Sequence, residues 1–322
     1  MQPDRRPVYV SRRAALAALG GAAFFPNIVR SQGLTTVVVG GLPEDSATSV
    51  LYGVQSGLFK KYGLDVQMQP QRSGPAVMSG VAGNSYQIGK AGTPPLIAAY
   101  GHGLPFVTIA PAGLYVSSAP IGALLVKADS PIKRAADLNG KTIAVGALTD
   151  VFSLATRAWL DKNGGDSSTV KFTEITISAI PSAIAEGRVD AGSVNEPILT
   201  AGLATGKVRV LAHNFDAIAP RFMYTAWFTT KQYAAANPNV IKGFTTALKE
   251  AAEYVNSHHA QTIDLIAKFA SLDPALVRKM TRVEQGTSLD PRLIQPVIDA
   301  AVRYKFTAKA FDARDLILPG LG

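Results

Sequence analysis

Thr36-Val-Val-Val-Gly-Gly-Leu42 returns 106 residues later as Thr142-Ile-Ala-Val-Gly-Ala-Leu148. In both places a run of β-branched and small apolar residues ends at glycine, the mark of a buried strand followed by a turn. Outward from these runs, Pro75 and Pro181 keep the same offset and open the next helical stretch of each copy. Gly89, Pro94 and Gly103 are answered by Gly192, Pro197 and Gly206 at a constant offset of 103. Landmarks held in register over this length mark an internal repeat. Each copy reads as β-α-β-α-β. Two such units predict an α/β protein of two lobes, each a mostly parallel sheet flanked by helices. The ligand cleft is then expected between the lobes, beyond the carboxyl ends of the strands.

The remaining pattern fills in around the repeat. In the first copy, strands are expected at 35–39, 64–69, 86–89 and 106–110, with helices at 46–62, 75–81 and 94–100. The Gly/Pro/Ser stretch 111–120 reads as the crossing to the second lobe. There, strands are expected at 121–127, 142–145, 171–177, 189–193 and 208–212, with helices at 150–162 and from Pro181 and Pro197. The apolar run 224–230 suits a strand returning between lobes. Val240, Phe244, Leu248, Ala251 and Val255 recur at helical spacing, which predicts one buried helix face. Asp273-Pro274 and Asp290-Pro291 each read as an N-cap with proline at the first helical position. Lobe 1 is therefore expected at 34–118 and 226–322, and lobe 2 at 119–225. Two crossings predict a hinge above a cleft.

Bulk composition excludes several classes. At 322 residues the chain suits two lobes with separate cores. There is no cysteine, so no disulfide framework, thiol nucleophile or cysteine-anchored lipid is available. Four histidines show no metal-ligand spacing, and no metal or cofactor is expected. The net charge of +9 falls to +5 once residues 1–33 are set aside. The excess forms no basic stripe, which argues against nucleic-acid binding. Ser11-Arg12-Arg13 precedes 16 uncharged residues from Ala14 to Val29, short of the roughly 20 that cross a bilayer. Residues 1–33 read as an export signal of twin-arginine type, with an uncleaved anchor as the alternative.

Tyr52-Gly-Val-Gln-Ser-Gly-Leu-Phe-Lys-Lys-Tyr-Gly-Leu-Asp-Val66 opens a series of weaker blocks. They continue through Gly74-Pro75-Ala76, Gly89, Gly92 and Leu104-Pro105 to Asp137-Leu-Asn-Gly-Lys-Thr-Ile-Ala-Val-Gly146, Glu186-Gly-Arg-Val-Asp-Ala191 and Asn195-Glu-Pro197. In this order, from about Val37 to Leu316, the chain resembles the periplasmic solute-binding proteins for nitrate, sulfonates, taurine and thiamine precursors. The resemblance implies the type II periplasmic binding protein fold, a small-molecule ligand in the cleft, and an ABC permease in the inner membrane as partner. A small anionic or zwitterionic organic solute, a periplasmic location and a monomer are the corresponding expectations.

Candidate ligand residues lie in the loops after the repeat strands: 40–46, 72–75 and 90–94 in the first lobe, 146–150, 178–182 and 195–197 in the second. Such loops end at helix N-termini, which favour anions and acceptor oxygens. Ser73, Thr93 and Thr149 suit ligand contact or plain N-capping. Gly41 and Gly74 suit close backbone approach to a ligand or a turn. Arg72 and Lys90 are first-lobe cations that suit the cleft or its solvated rim. Glu196 suits reading of an amino or amide donor, as the resemblance implies, or the start of its own helix; Asn195 suits either job. Tyr52, Phe152 and Tyr224 suit stacking on a flat ligand or core filling.

No catalytic arrangement is legible. Gly-x-Gly-x-x-Gly is missing, and Gly140-Lys-Thr142 has Ala135 where the phosphate-binding Gly-x-x-x-x-Gly-Lys-Ser/Thr loop needs its first glycine; enzymes on this scaffold, such as the thiamine-pyrimidine synthases, rely on cysteine. A binding protein is the expectation. A receptor for a membrane signalling partner is the alternative, and a synthase-like enzyme the more remote one.

Overall fold

The computed structural model describes residues 33–321; the expected export segment lies outside them except for Gly33. Strands β1 (Thr35–Gly41), β2 (Leu64–Pro70), β3 (Ile88–Gly92), β4 (Phe106–Val116), β5 (Gly122–Lys127), β6 (Thr142–Val145), β7 (Lys171–Glu174), β8 (Ala191–Asn195), β9 (Val208–Ala212), β10 (Arg221–Thr230) and β11 (Glu284–Gln285) form two sheets. Their orders are β11-β4-β10-β3-β1-β2 and β7-β6-β8-β5-β9. β1 pairs in parallel with β2 and β3, and β6 likewise with β7 and β8. Each repeat thus supplies three parallel strands with its first strand in the middle. The other pairings are antiparallel, so both sheets are mixed rather than mostly parallel. The added strands bring the chain into or out of a sheet and run against the repeat strands.

The helices are α1 (Thr48–Gln55), α2 (Leu58–Lys61), α3 (Gly74–Ala82), α4 (Thr93–Gly101), α5 (Val151–Lys162), α6 (Ile180–Ala185), α7 (Ile198–Ala204), α8 (Lys231–Ala236), α9 (Pro238–Ser257), α10 (Ile263–Ala270), α11 (Pro274–Lys279) and α12 (Gln295–Arg303). The expected helix 46–62 is broken into α1 and α2 at Gly57, whose φ of 77° no helix interior accepts. Asp273 caps α11 through Ala275 N–H, and Asp290 accepts from Arg292 N–H at the start of a short 3-10 turn, Pro291–Leu293, ahead of α12.

The repeat landmarks share physical causes. A Cβ on Gly89 would lie 2.8 Å from Val77 of α3, and one on Gly192 would lie 2.3 Å from Ile180 of α6. In each copy the helix that follows the second strand sits directly on the third strand, and only glycine leaves room. Pro75 and Pro181 occupy first-turn positions of α3 and α6. Gly103 and Gly206 lie just past α4 and α7 with φ of 79° and 67°, the left-handed stop that ends a helix.

The five α9 residues read as one face are all buried. Phe244 stacks on Phe59 at 5.2 Å and meets Trp227 edge-on at 6.0 Å. Burial of such a ring contributes about 1.5–3 kcal/mol.

The expected loop 111–120 differs most. β4 runs on through Pro111 to Val116, paired with β10 along its length. Pro111 sits opposite Ala226, where the ladder shifts register, a place that tolerates a missing N–H. The first crossing between sheets is therefore 117–121. The second is 213–220, ahead of the expected 225/226, because all of β10 belongs to the first sheet. The crossings run side by side: Ser117 N–H donates to Pro220 O at 2.8 Å. Tyr115 OH (2.7 Å) and Ser117 Oγ both donate to Asp216. Among the described residues, no helix is long and apolar enough to cross a membrane.

Candidate functional site

The strand-end loops of the two sheets face one another, and a short segment just before β11 shows where they meet. Thr281 N–H donates to Glu196 Oε1 at 3.4 Å, beyond β8 of the second sheet. The next residue, Arg282, forks onto Asp45 beyond β1 of the first sheet, with Nη2 at 2.8 Å from Oδ1 and Nε at 2.9 Å from Oδ2.

On the first-sheet side, the candidates are largely engaged by the protein itself. Lys90 is wholly buried; its Nζ pairs with Glu44 and lies 2.7 Å from Ser46 Oγ. Burial pushes the ammonium below its usual range, and the Glu44 carboxylate opposes that shift. Lys90 is thus neither a rim charge nor a free cation. Gly41 makes room for protein: a Cβ there would lie 2.7 Å from Met68 and 3.3 Å from Lys90 Cβ. Thr93 opens α4, fully buried, and its hydroxyl donates to Met223 O at 2.7 Å. Ser73 caps α3, accepting from Ala76 N–H at 3.3 Å, while the space beside Gly74 is open. Arg72 is exposed.

The second-sheet side is built differently. Glu196 is buried, yet its carboxylate accepts only neutral donors: Thr200 N–H at 3.0 Å, Thr200 Oγ1 at 2.8 Å and Thr281 N–H. Burial raises its pKa, opposed by those bonds. Its own N–H donates to Ile121 O, beside the first crossing. Asn195 ends β8, buried, and its side-chain amide makes no hydrogen bond among the described residues. Thr149 is exposed. One residue beyond it, Asp150 caps α5 and accepts from Ser153 N–H at 2.9 Å and Ala147 N–H at 2.7 Å. Desolvation nevertheless pushes its pKa up to about 7.

The three aromatics are held by the protein. Tyr52 stacks on Tyr254 at 4.1 Å, Phe152 tilts against Phe215 at 5.8 Å, and Tyr224 is buried, its hydroxyl without a partner among the described residues. Tyr224 packs against Gly113, where a Cβ would lie 2.4 Å from its ring. Two surface concavities of about 470 and 640 Å³ surround Lys127, Asp129 and Pro181, and Ser130, Asp137 and Asp190. β5 runs antiparallel to β8, so both lie at the amino ends of the second-sheet strands, away from the facing loops.

Glu44, Asp45, Ser46, Asp150 and Arg282 were missed as candidates. The first three and Asp150 fall inside loops expected to face the cleft, so position was their only signal. Arg282 carried none.

Two mixed sheets joined by paired crossings, with strand-end loops face to face, form the two-lobed periplasmic binding protein fold. The family model described as NMT1/THI5 like matches residues 45–262. The chain belongs to the NMT1/THI5-like family. A binding protein of Escherichia coli K12 named for aliphatic sulfonates is 27% identical over 251 residues, covering 76% of each chain. The crystal structure of the periplasmic aliphatic sulphonate binding protein of Escherichia coli is similar, with a TM-score of 0.74, 24% identity, and coverage of 89% of this chain and 98% of the other. The periplasmic nitrate-binding protein of Synechocystis PCC 6803 gives a TM-score of 0.74 at 14% identity, covering 88% and 85%.

Proposed function

We propose that this NMT1/THI5-like protein is an exported solute-binding protein that carries a small organic solute to an ABC importer, without chemistry of its own. The observation that carries the reading is the meeting of strand ends from both sheets at Thr281, Arg282, Asp45 and Glu196, beneath a paired crossing suited to hinge closure. The relatives named for sulfonates and nitrate support transport as the setting.

Of the anionic and dipolar solutes expected from sequence, the dipolar class fits the charges. Lys90 is neutralised by Glu44 and Arg282 by Asp45. Among the described residues, Asp150 and Glu196 have no cationic side chain within ion-pair distance. Two carboxyl groups on one wall favour a solute with an ammonium or amide donor at that end. Its oxyanion end is then left to the first wall, to the N–H groups of Ser73 and Gly74 at the start of α3 and the exposed Arg72 beside them.

Thermal melting with taurine, ethanesulfonate and nitrate tests both levels. A solute at 100 times its Kd adds about 2.7 kcal/mol, so taurine is expected to raise the melting temperature by several degrees and ethanesulfonate by less. No stabilisation by any sulfonate, nitrate or pyrimidine at millimolar concentration would sink the solute-binding reading. Equal shifts with taurine and ethanesulfonate would sink the dipolar one.

A further inference from the structure

Five residues far along the chain hold both walls of the cleft. Asp45 is fully buried and Arg282 is 7% exposed. Asp45 also accepts from Val283 N–H at 2.7 Å and Thr48 Oγ1 at 2.9 Å, and its carbonyl accepts from Gln285 Nε2 at 3.0 Å. Arg282 Nη1 adds a bond to His259 O at 3.1 Å. The residues either side of Asp45, Glu44 and Ser46, are the two that hold Lys90. One residue before Arg282, Thr281 N–H reaches Glu196 in the opposite wall.

A buried ion pair is weak evidence for net stability, since apolar replacements of matching volume are often as stable. A bidentate guanidinium–carboxylate fork does fix the mutual orientation of its two segments. We propose that Thr281–Gln285 is a positioning element of the cleft. The Asp45–Arg282 fork sets the Glu44–Ser46 loop of the first wall and presents the Thr281 amide to Glu196 of the second, so that one clasp aligns both. Arg282 is a positioning residue here, acting through Asp45 and Thr281. The functional meaning of the alignment rests on the solute-binding reading above; the alignment itself does not.

Hydrogen–deuterium exchange on the solute-free full chain tests it, comparing wild type with Arg282→Met and with the double variant Asp45→Leu/Arg282→Met. The double variant removes both charges and guards against loss of fold. With its melting temperature near wild type, amides of both 42–50 and 196–204 are expected to exchange at least about 10-fold faster. Amides of α9 and of the β5–β8 ladder are expected to stay unchanged. Wild-type exchange in both loops of a stable double variant would overturn the proposal. Acceleration confined to 42–50 would overturn its two-walled form, and uniform acceleration across the molecule would reduce the pair to general stability. A clasp effect without stabilisation by any sulfonate, nitrate or pyrimidine would sink the solute reading and leave the clasp standing.

Discussion

The two repeats share a backbone plan but finish their strands with opposite electrostatics. In the first, two buried cations are matched, Lys90 with Glu44 and Arg282 with Asp45, while Arg72 stays exposed at the rim. In the second, Asp150 and Glu196 are held, among the described residues, by N–H and hydroxyl donors. The same loop positions therefore serve one wall as scaffold and leave the other with carboxyl groups to offer. Duplication conserves what the sheet and helices need and leaves strand-end chemistry open to diverge.

The largest test of that contrast removes a charge from each wall. Lys90→Met leaves the Glu44 carboxylate and Ser46 hydroxyl without their donor, and loss of about 2–3 kcal/mol is expected, read from urea unfolding midpoints. At about pH 4, where both states still hold much of the Asp150 proton, Asp150→Asn keeps an acceptor for one of its two N–H donors, so a change of about 1 kcal/mol or less is expected. Equal losses would erase the contrast. Next come the shared glycines. Gly89→Ala and Gly192→Ala each force a methyl onto a packed helix and are expected to cost about 1–3 kcal/mol, whereas Gly74→Ala, beside open space, should stay within about 0.5 kcal/mol. A large cost at only one of Gly89 and Gly192 would break the common plan.

The last test is a slope. The folded state pushes the Asp150 carboxyl up to about 7, above its unfolded value of 3.8. Between those pH values the folded chain holds a proton that the unfolded chain releases. This term therefore lowers stability as pH rises from about 4 to about 7 and is level above. The difference between wild type and Asp150→Asn, measured by urea unfolding across that range, should follow this slope. A difference independent of pH would mean that Asp150 ionises normally and sharpens attention on Glu196.

The sequence carried the fold where local pattern and repeat spacing do the work. β1, β6, α9 and the landmark glycines and prolines follow from periodicity and backbone sterics. β4 was cut short because Pro111 and Gly113 resemble a loop, and only a partner strand with shifted register shows that they can stay in a sheet. At the site, loop positions were legible but roles were not. Lys90 reads as an available cation until Glu44, 46 residues away, is folded beside it. Thr93 reads as a ligand hydroxyl until β10 supplies a carbonyl. The Asp45–Arg282 fork spans 237 positions and has no local signature.

The paired crossings carry a mechanical consequence. Two chain segments bonded at Ser117 and Pro220, and pinned by Tyr115 and Ser117 onto Asp216, resist sliding past one another far more than they resist bending together. Closure as proposed above would then run mainly as rotation about the line of the crossings. Mouth width, enclosed volume and the distance between the two walls would change as one coordinate, so anything that senses one of them would sense all three.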